Sequence, residues 1–347
     1  IYPHFLPFRE GCVRKFVSEP RFYSLLIDYA VSLGEQRVLH IPHVLFHNIG
    51  PRSKLIPAEA TETIDLPKVS VIIPTKDNWL LLDKCLESLW QTDWPETLLD
   101  IIVIDNGSKE KTTKSLLKNY EDKGRIRVIY DDSVFNWSYL NNLAVKESDA
   151  DVFVFLNNDT EVIDSQWLKK MVSYAINPQI GAVGCKLLFP DMTVQHGGVV
   201  AGINGVAGHA HLFLSADDEG YSGLSNITRE VSAVTGACLV VSREKFDLVE
   251  GFDESFRVAF GDVVFCFDLH KKGYRNLYLS DALFIHHESK TRGYDDTPEK
   301  QALNRLEAYN ARKKHPQIMR EDPFYSPNLS LEKPYELAFV PRRQASW

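Results

Sequence analysis

Three apolar, β-branched runs, each closed by a cluster of oxygen- and amide-bearing residues, constrain the fold of this chain more than any other feature. Val69-Ser-Val-Ile-Ile73 runs into Pro74-Thr-Lys-Asp77, Asp100-Ile-Ile-Val-Ile-Asp105 into Asn106-Gly-Ser108, and Asp151-Val-Phe-Val-Phe-Leu156 into Asn157-Asn-Asp-Thr160. Runs that are apolar on both faces are strands buried in a parallel sheet. Helical signals separate them. Leu82, Cys85, Leu86 and Leu89 recur at helical spacing, with Asp77 or Asn78 placed to cap that helix. Trp137–Lys146 reads as a short helix, and Trp167, Leu168, Met171, Val172 and Ala175 form one helical face behind a cap at Ser165. Alternating strands and helices predict an α/β chain with a Rossmann-like, mostly parallel sheet flanked by helices. In such sheets ligands bind beyond the carboxyl ends of the strands, so the three polar clusters should lie side by side at a binding edge.

The 347 residues suffice for about two domains, or for one large domain with appendages. Residues 51–67, with three prolines and little periodicity, read as a linker between residues 1–50 and a main domain at 68–315; residues 316–347 are expected to pack on that domain as a tail. With 39 basic and 47 acidic residues the net charge is −8, which disfavours a general nucleic-acid or anionic-membrane binder. No strictly apolar run, Val152–Leu156 and Ala237–Val241 included, exceeds five residues, against the roughly 20 that a spanning helix needs. Five scattered cysteines without a CxxC pair suggest neither a disulfide frame nor a zinc cage, and fit a reducing, cytoplasmic setting. A start at Ile1 without Met or a signal segment predicts a piece of something longer.

No strand is followed by GxGxxG or GxxxxGK[ST], so a phosphate-bearing ligand would need a metal ion. Asn157-Asn158-Asp159 emerges at the ligand edge; Asp159 suits Mg²⁺ or Mn²⁺, which are commonly held by one or two carboxylates plus substrate phosphates, or the triplet is an Asn-rich turn. Asp105 either accepts from a base or ribose or closes an Asx-turn, and Thr75 and Asp77 carry the same pair of readings, with Asp77 also a candidate cap. Asp262, among apolar neighbours at the opening of the predicted helix Val263–Lys271, is either a general base, its N-cap, or both. His286, with His287, follows the strand-like Ala282–Ile285 and is either a metal ligand or a satisfied histidine at a strand end. His196, His209 and His211 lack zinc spacing.

Taken in order, VSVIIPTKDN (69–78), IIVIDNGS (101–108), NNLA (141–144), FVFLNNDTEV (153–162), VGCKLLFPDMTVQHGGVV (183–200), GVAGHAH (205–211), REVSAVTGACLVV (229–241), GFDESF (251–256) and HHESKTRG (286–293) resemble family 2 glycosyltransferases of the GT-A fold, in the bacterial rhamnosyltransferase and O-antigen branch. The resemblance implies that Thr75, Asp77 and Asp105 contact the nucleotide, with Asn157 and Asn158 beside them. It implies that Asp159 represents the family's metal-binding acidic triplet and that His286 lies near metal and diphosphate. Asp262 matches the base of inverting members, and Lys186, His196 and Arg292 face donor or acceptor. Where this branch commonly reads F-N-D-V-D, the chain has Phe260-Gly-Asp-Val-Val264; the base position is kept and the second acid is not. Residues 1–50 resemble the closing helix and strand of another such domain, without its acid pair.

The implied reaction is metal-dependent transfer of one sugar, with inversion, from a UDP- or dTDP-linked donor to a hydroxyl of a glycan or lipid-linked glycan in surface polysaccharide synthesis. The enzyme would be cytoplasmic, without a span of its own, and peripheral to the membrane only through other domains or proteins. A sugar-nucleotide pyrophosphorylase would carry a Gly-rich basic loop where Thr75–Asn78 stands. A non-catalytic sugar-nucleotide or glycan-binding module is the alternative that Val264 encourages.

Overall fold

The computed structural model describes residues 66–287 and 297–342, all within the second of two compact units into which the chain divides, residues 59–347. The expected remnant at 1–50, the linker up to residue 65, and Arg292 lie outside the described residues. Strands β1 (Val69–Thr75), β2 (Leu99–Asp105), β3 (Arg127–Tyr130) and β4 (Val152–Leu156) are joined by helices α1 (Trp79–Leu89), α2 (Lys111–Asp122) and α3 (Trp137–Lys146). The short β5 (Thr160–Val162), helix α4 (Trp167–Ala175) and long β6 (Ile180–Leu188) follow, then β7 (Val194–His196), β8 (Val199–Ala201), β9 (Ala207–His209), β10 (Arg229–Val231) and β11 (Cys238–Ser242). The last elements are α5 (Arg243–Leu248), α6 (Gly261–Lys271), β12 (Arg275–His286), α7 (Pro298–Lys314) and α8 (Pro316–Arg320).

The main sheet runs β10-β12-β6-β11-β4-β1-β2-β3, with β5 and β7 added to β12 and β6. From β3 to β4 all pairings are parallel; β11 then enters antiparallel to both β4 and β6, so the sheet is mixed. Alternate residues of β1 feed two cores. Val69, Val71 and Ile73 pack with Leu82, Leu86 and Trp167 on one face, while Ile72 packs with Leu140, Phe155 and Phe265 on the other. Burial on both faces is why the strands read as continuous apolar runs. No helix among the described residues is long and apolar enough to cross a membrane.

The expected caps differ. Asn78 is the N-cap of α1, in the left-handed region at φ 56°, and its side chain makes no cap bond. Asp77, also left-handed at φ 54°, turns its carboxylate to the amides of Lys109 and Glu110 in the next loop. Asn and Asp tolerate this region better than other side chains, and two in succession swing the loop across to its neighbour. Gln166, not Ser165, precedes α4, and the Ser165 carbonyl accepts from the Asp93 amide instead. α6 begins at Gly261 behind a left-handed Phe260, so Asp262 lies inside the first turn and is not its N-cap. Beyond α8 the chain lies along β8, where the Asp322 carboxylate accepts from the Ala201 amide and the Tyr335 ring stacks on His211 at 4.5 Å.

Candidate active site

A cleft of about 680 Å³ opens at the carboxyl ends of β1 and β4, and both Asp159 and Asp262 line it. Thr75, Asn157, Asn158 and His286 line it as well, so residues spread over more than two hundred positions share one pocket.

The acid–histidine half is held by strand register. β5 pairs antiparallel with β12, setting His286 opposite Thr160 and therefore beside Asp159. The Asp159 carboxylate lies 3.1 Å from His286 Nε2, and both residues are buried. His286 Nδ1 is 2.6 Å from Gln195 Oε1, so Nδ1 carries the hydrogen and donates it. Nε2 then faces the Asp159 carboxylate and the Asn157 amide nitrogen, 3.3 Å away. A carboxylate and an imidazole lone pair at such a distance repel unless positive charge stands between them, as a proton or a metal ion. Burial works to raise the Asp159 carboxyl, but the hydrogen bond and charge of His286, with His287 beyond, outweigh it and hold it below the usual carboxylate range. The donor set fits a hard divalent ion that keeps most of its positions for water and phosphate, and the Gln195–His286 bond would then be the outer-shell contact that orients the ring. No group of three or more His, Cys, Asp or Glu side chains able to cage a metal is found among the described residues, so the protein would supply only part of the shell.

The opposite half is built around Asp262. Its Oδ2 accepts from the Gly236 amide at 2.6 Å and its Oδ1 from the Val263 amide at 2.8 Å, at the N-terminal end of α6 where the helix dipole favours an anion. Gly236 is required by close approach: a Cβ there would stand 2.6 Å from the Trp137 ring. Phe135, Trp137, Phe256 and Phe260 give this half an apolar wall. A pocket of aromatic faces with a few convergent polar groups is the usual form of a small-molecule site.

Other candidates occupy different places. Thr75 accepts from the Asn158 side chain at 2.8 Å, tying the ends of β1 and β4 at the cleft floor. Asp77 and Asp105 do not line the cleft: Asp105 accepts from the Ser108 amide, Ser108 Oγ accepts from the Asp77 amide, and the network knits the first two loops together. Lys186 also stands outside, its ammonium donating to the Ala216 carbonyl and Asn226 Oδ1. His196 is fully buried and reaches the cleft only through His209, whose Nδ1 is 2.8 Å from its own; burial keeps its basicity well below that of a free imidazole.

Sequence reasoning passed over Gln195, Lys76 and the aromatic wall. Gln195 stands next to His196 in the three-residue β7, at a register shift against β6, so no periodicity in the sequence announces which way it faces. Lys76 is an exposed cation at the cleft wall, directly after β1. The departures from the branch pattern also have places in the structure. Val264 is wholly buried in the core and does not line the cleft, so the missing second acid leaves the cleft lining untouched. At Gly261 a Cβ would stand 2.7 Å from Ser138 Oγ, which is bonded to the Phe256 carbonyl; a larger residue there must displace that bond.

Residues 70–199 match the family described as Glycosyl transferase family 2. A protein of Sinorhizobium fredii named y4gI is 43% identical over 270 residues, covering 77% of this chain and 30% of its own length. The O-antigen biosynthesis protein RfbC of Myxococcus xanthus is 39% identical over 268 residues, covering 76% of this chain and 20% of its own. The chain thus spans less than a third of either relative. The O-antigen chain rhamnosyltransferase RfbN of Salmonella typhimurium is 30% identical over 232 residues, covering 65% of this chain and 68% of its own. Among solved structures, a mannosyltransferase of Pyrobaculum calidifontis in complex with GDP-Man and Mn²⁺ superposes with a TM-score of 0.52 at 17% identity, covering 72% of this chain and 64% of that one. GalNAc-T7 with UDP, GalNAc and Mn²⁺ gives 0.56 at 14% identity, covering 67% and 45%. These two share the GT-A fold seen here. With the family match over residues 70–199 and the 30% identity to RfbN over 68% of its length, this chain belongs to the family 2 glycosyltransferases.

Proposed function

We propose that this chain moves one sugar from a nucleoside-diphosphate donor to a hydroxyl of a glycan or lipid-linked glycan, with inversion at the anomeric carbon, during synthesis of an O-antigen-like surface polysaccharide. The observation that carries the reading is the shared cleft, lined both by the buried Asp159–His286 pair and by Asp262. Asp262 accepts the proton of the acceptor hydroxyl as the oxygen attacks the anomeric carbon from the face opposite the departing diphosphate. Amide bonds from Gly236 and Val263 hold that carboxylate in place without consuming all its lone pairs. Asp159 and His286 would hold the divalent ion, and the charge it brings stabilises the leaving nucleoside diphosphate. Lys76 adds a cation at the same wall, and Asn158, fixed by Thr75, presents polar atoms to the donor. The aromatic side chains Phe135, Trp137, Phe256 and Phe260 give the cleft apolar surface against which a sugar ring can pack.

Thermal denaturation with UDP-, dTDP- and GDP-sugars, each with and without Mn²⁺, tests the donor half. A native-state ligand at 100 times its dissociation constant adds about 2.7 kcal/mol, enough for a clear rise in the midpoint. The expected result is a rise for one nucleotide class that needs Mn²⁺ and is erased by EDTA. No rise with any of the three classes overturns the reading.

A further inference from the structure

Glu307 lies in the middle of α7, 50 residues beyond Arg257 in the loop that leads to Asp262, and its side chain is completely buried. A buried carboxylate costs several kcal/mol unless hydrogen bonds satisfy it. Here three backbone amides do so: Arg257 donates to Oε1 at 2.7 Å, Val258 to Oε1 at 3.3 Å, and Ala259 to Oε2 at 2.7 Å. The next residue, Phe260, is a bulky side chain in the left-handed region at φ 63°, and it is followed directly by Gly261 and Asp262. Such a conformation costs roughly 1–3 kcal/mol and persists only where the surroundings over-determine it. The three amides held by Glu307 immediately precede the strained residue. The same segment sets the cleft wall: Val258, Ala259, Phe260 and Asp262 line the cleft, and the Arg257 carbonyl accepts from the Trp137 amide at 2.8 Å. Lys314, at the far end of α7, bridges Asp253 at the start of the loop and Asp268 on α6, so the helix grips the segment from both sides.

We infer that Glu307 is a positioning residue for Asp262: it clamps residues 257–259, forces the turn at Phe260, and so fixes the carboxylate and the acceptor wall. The inference rests on the assignment of Asp262 as the base. It makes α7, which lies outside the matched family segment 70–199, part of the catalytic apparatus. Glu307→Gln is nearly isosteric but sets an amide donor against one of the donating amides, most directly that of Ala259, while Glu307→Ala removes the clamp.

The test uses the full chain, Mn²⁺ and the donor selected in the denaturation panel, with donor turnover, Mn²⁺-dependent nucleoside diphosphate affinity and amide hydrogen exchange over residues 256–263 measured for wild type, Glu307→Gln, Glu307→Ala and Asp262→Asn. A displacement of about 1 Å in a catalytic group costs on the order of 10²-fold in rate. The expected result is a fall of about 10- to 100-fold in kcat for Glu307→Gln, nucleoside diphosphate affinity within about threefold of wild type, and faster exchange at residues 257–259. Glu307→Ala should extend both effects. If Asp262→Asn loses turnover while both Glu307 variants keep it, the positioning role is refuted and the base stands. If Asp262→Asn keeps turnover, the base assignment itself fails. Loss of nucleotide affinity in step with kcat would mark Glu307 as a support of the whole fold and equally overturn the inference.

Discussion

Asp262→Asn should lower sugar transfer by about 10²- to 10⁴-fold, the usual worth of a positioned general base, while leaving nucleoside diphosphate affinity with Mn²⁺ nearly unchanged. The neutral amide keeps the shape of the side chain and one acceptor oxygen, while its NH₂ is set against the amide of either Gly236 or Val263, so the nucleotide affinity measured beside transfer reports whether the cleft is kept. What is lost is the ability to take a proton. The separation is sharp because the groups assigned to the donor, Thr75, Asn158 and the Asp159–His286 pair, sit on β1, the turn between β4 and β5, and β12, whereas Asp262 sits on α6. Steady-state transfer assays beside calorimetric titration distinguish the two quantities, and undiminished transfer would refute the assignment.

Asp159→Ala should do the converse. Removing the carboxylate leaves His286 Nε2 beside the Asn157 amide alone and takes away the anionic member of the pair that would hold the divalent ion. Outer-shell changes alone typically cost 10- to 100-fold in metal affinity, so loss of a ligand should cost at least about 100-fold. Calorimetry with nucleoside diphosphate should then show the same weak binding with Mn²⁺ as without it, and the same as wild type after EDTA. Mn²⁺-enhanced binding that survives the substitution would remove Asp159 from the metal site. Stability responds separately. Because Asp159 is held below the usual carboxylate range in the fold, its ionised form stabilises the native state above the unfolded pKa, and that contribution is lost as pH falls through the folded one.

Much of this was legible from residue order alone. β1, β2 and β4 were readable because burial on both faces forces continuous apolar runs, and the polar clusters at their ends mark the ligand edge wherever strands run in parallel. The antiparallel insertion of β11 was not readable, since Cys238–Ser242 is as apolar as its parallel neighbours and direction leaves no trace in composition. Asp77 and Asp105 carry the right chemistry for a nucleotide contact, and residue order does not show that one oxygen of each also accepts from loop amides. Lys186, which the resemblance sets toward donor or acceptor, donates in the fold to a carbonyl and an amide oxygen that residue order does not show. Gln195 was hidden in a three-residue strand too short for periodicity to declare a face. Glu307 was hidden differently: in the charged stretch PEKQALNRLEAYNARKK an acidic residue looks solvated, and only the loop packed against α7 shows that it is buried.

The central claim is that one divalent ion binds beside the carboxylate that activates the acceptor. Anomalous X-ray scattering at the manganese edge, from crystals grown with MnCl₂ and the nucleoside diphosphate selected by denaturation, locates that ion directly. A single peak within coordination distance of Asp159 and His286 Nε2, inside the cleft that Asp262 lines, is the expected result. Nucleotide bound in the cleft with manganese absent from that pair, or manganese bound away from the cleft, would contradict it.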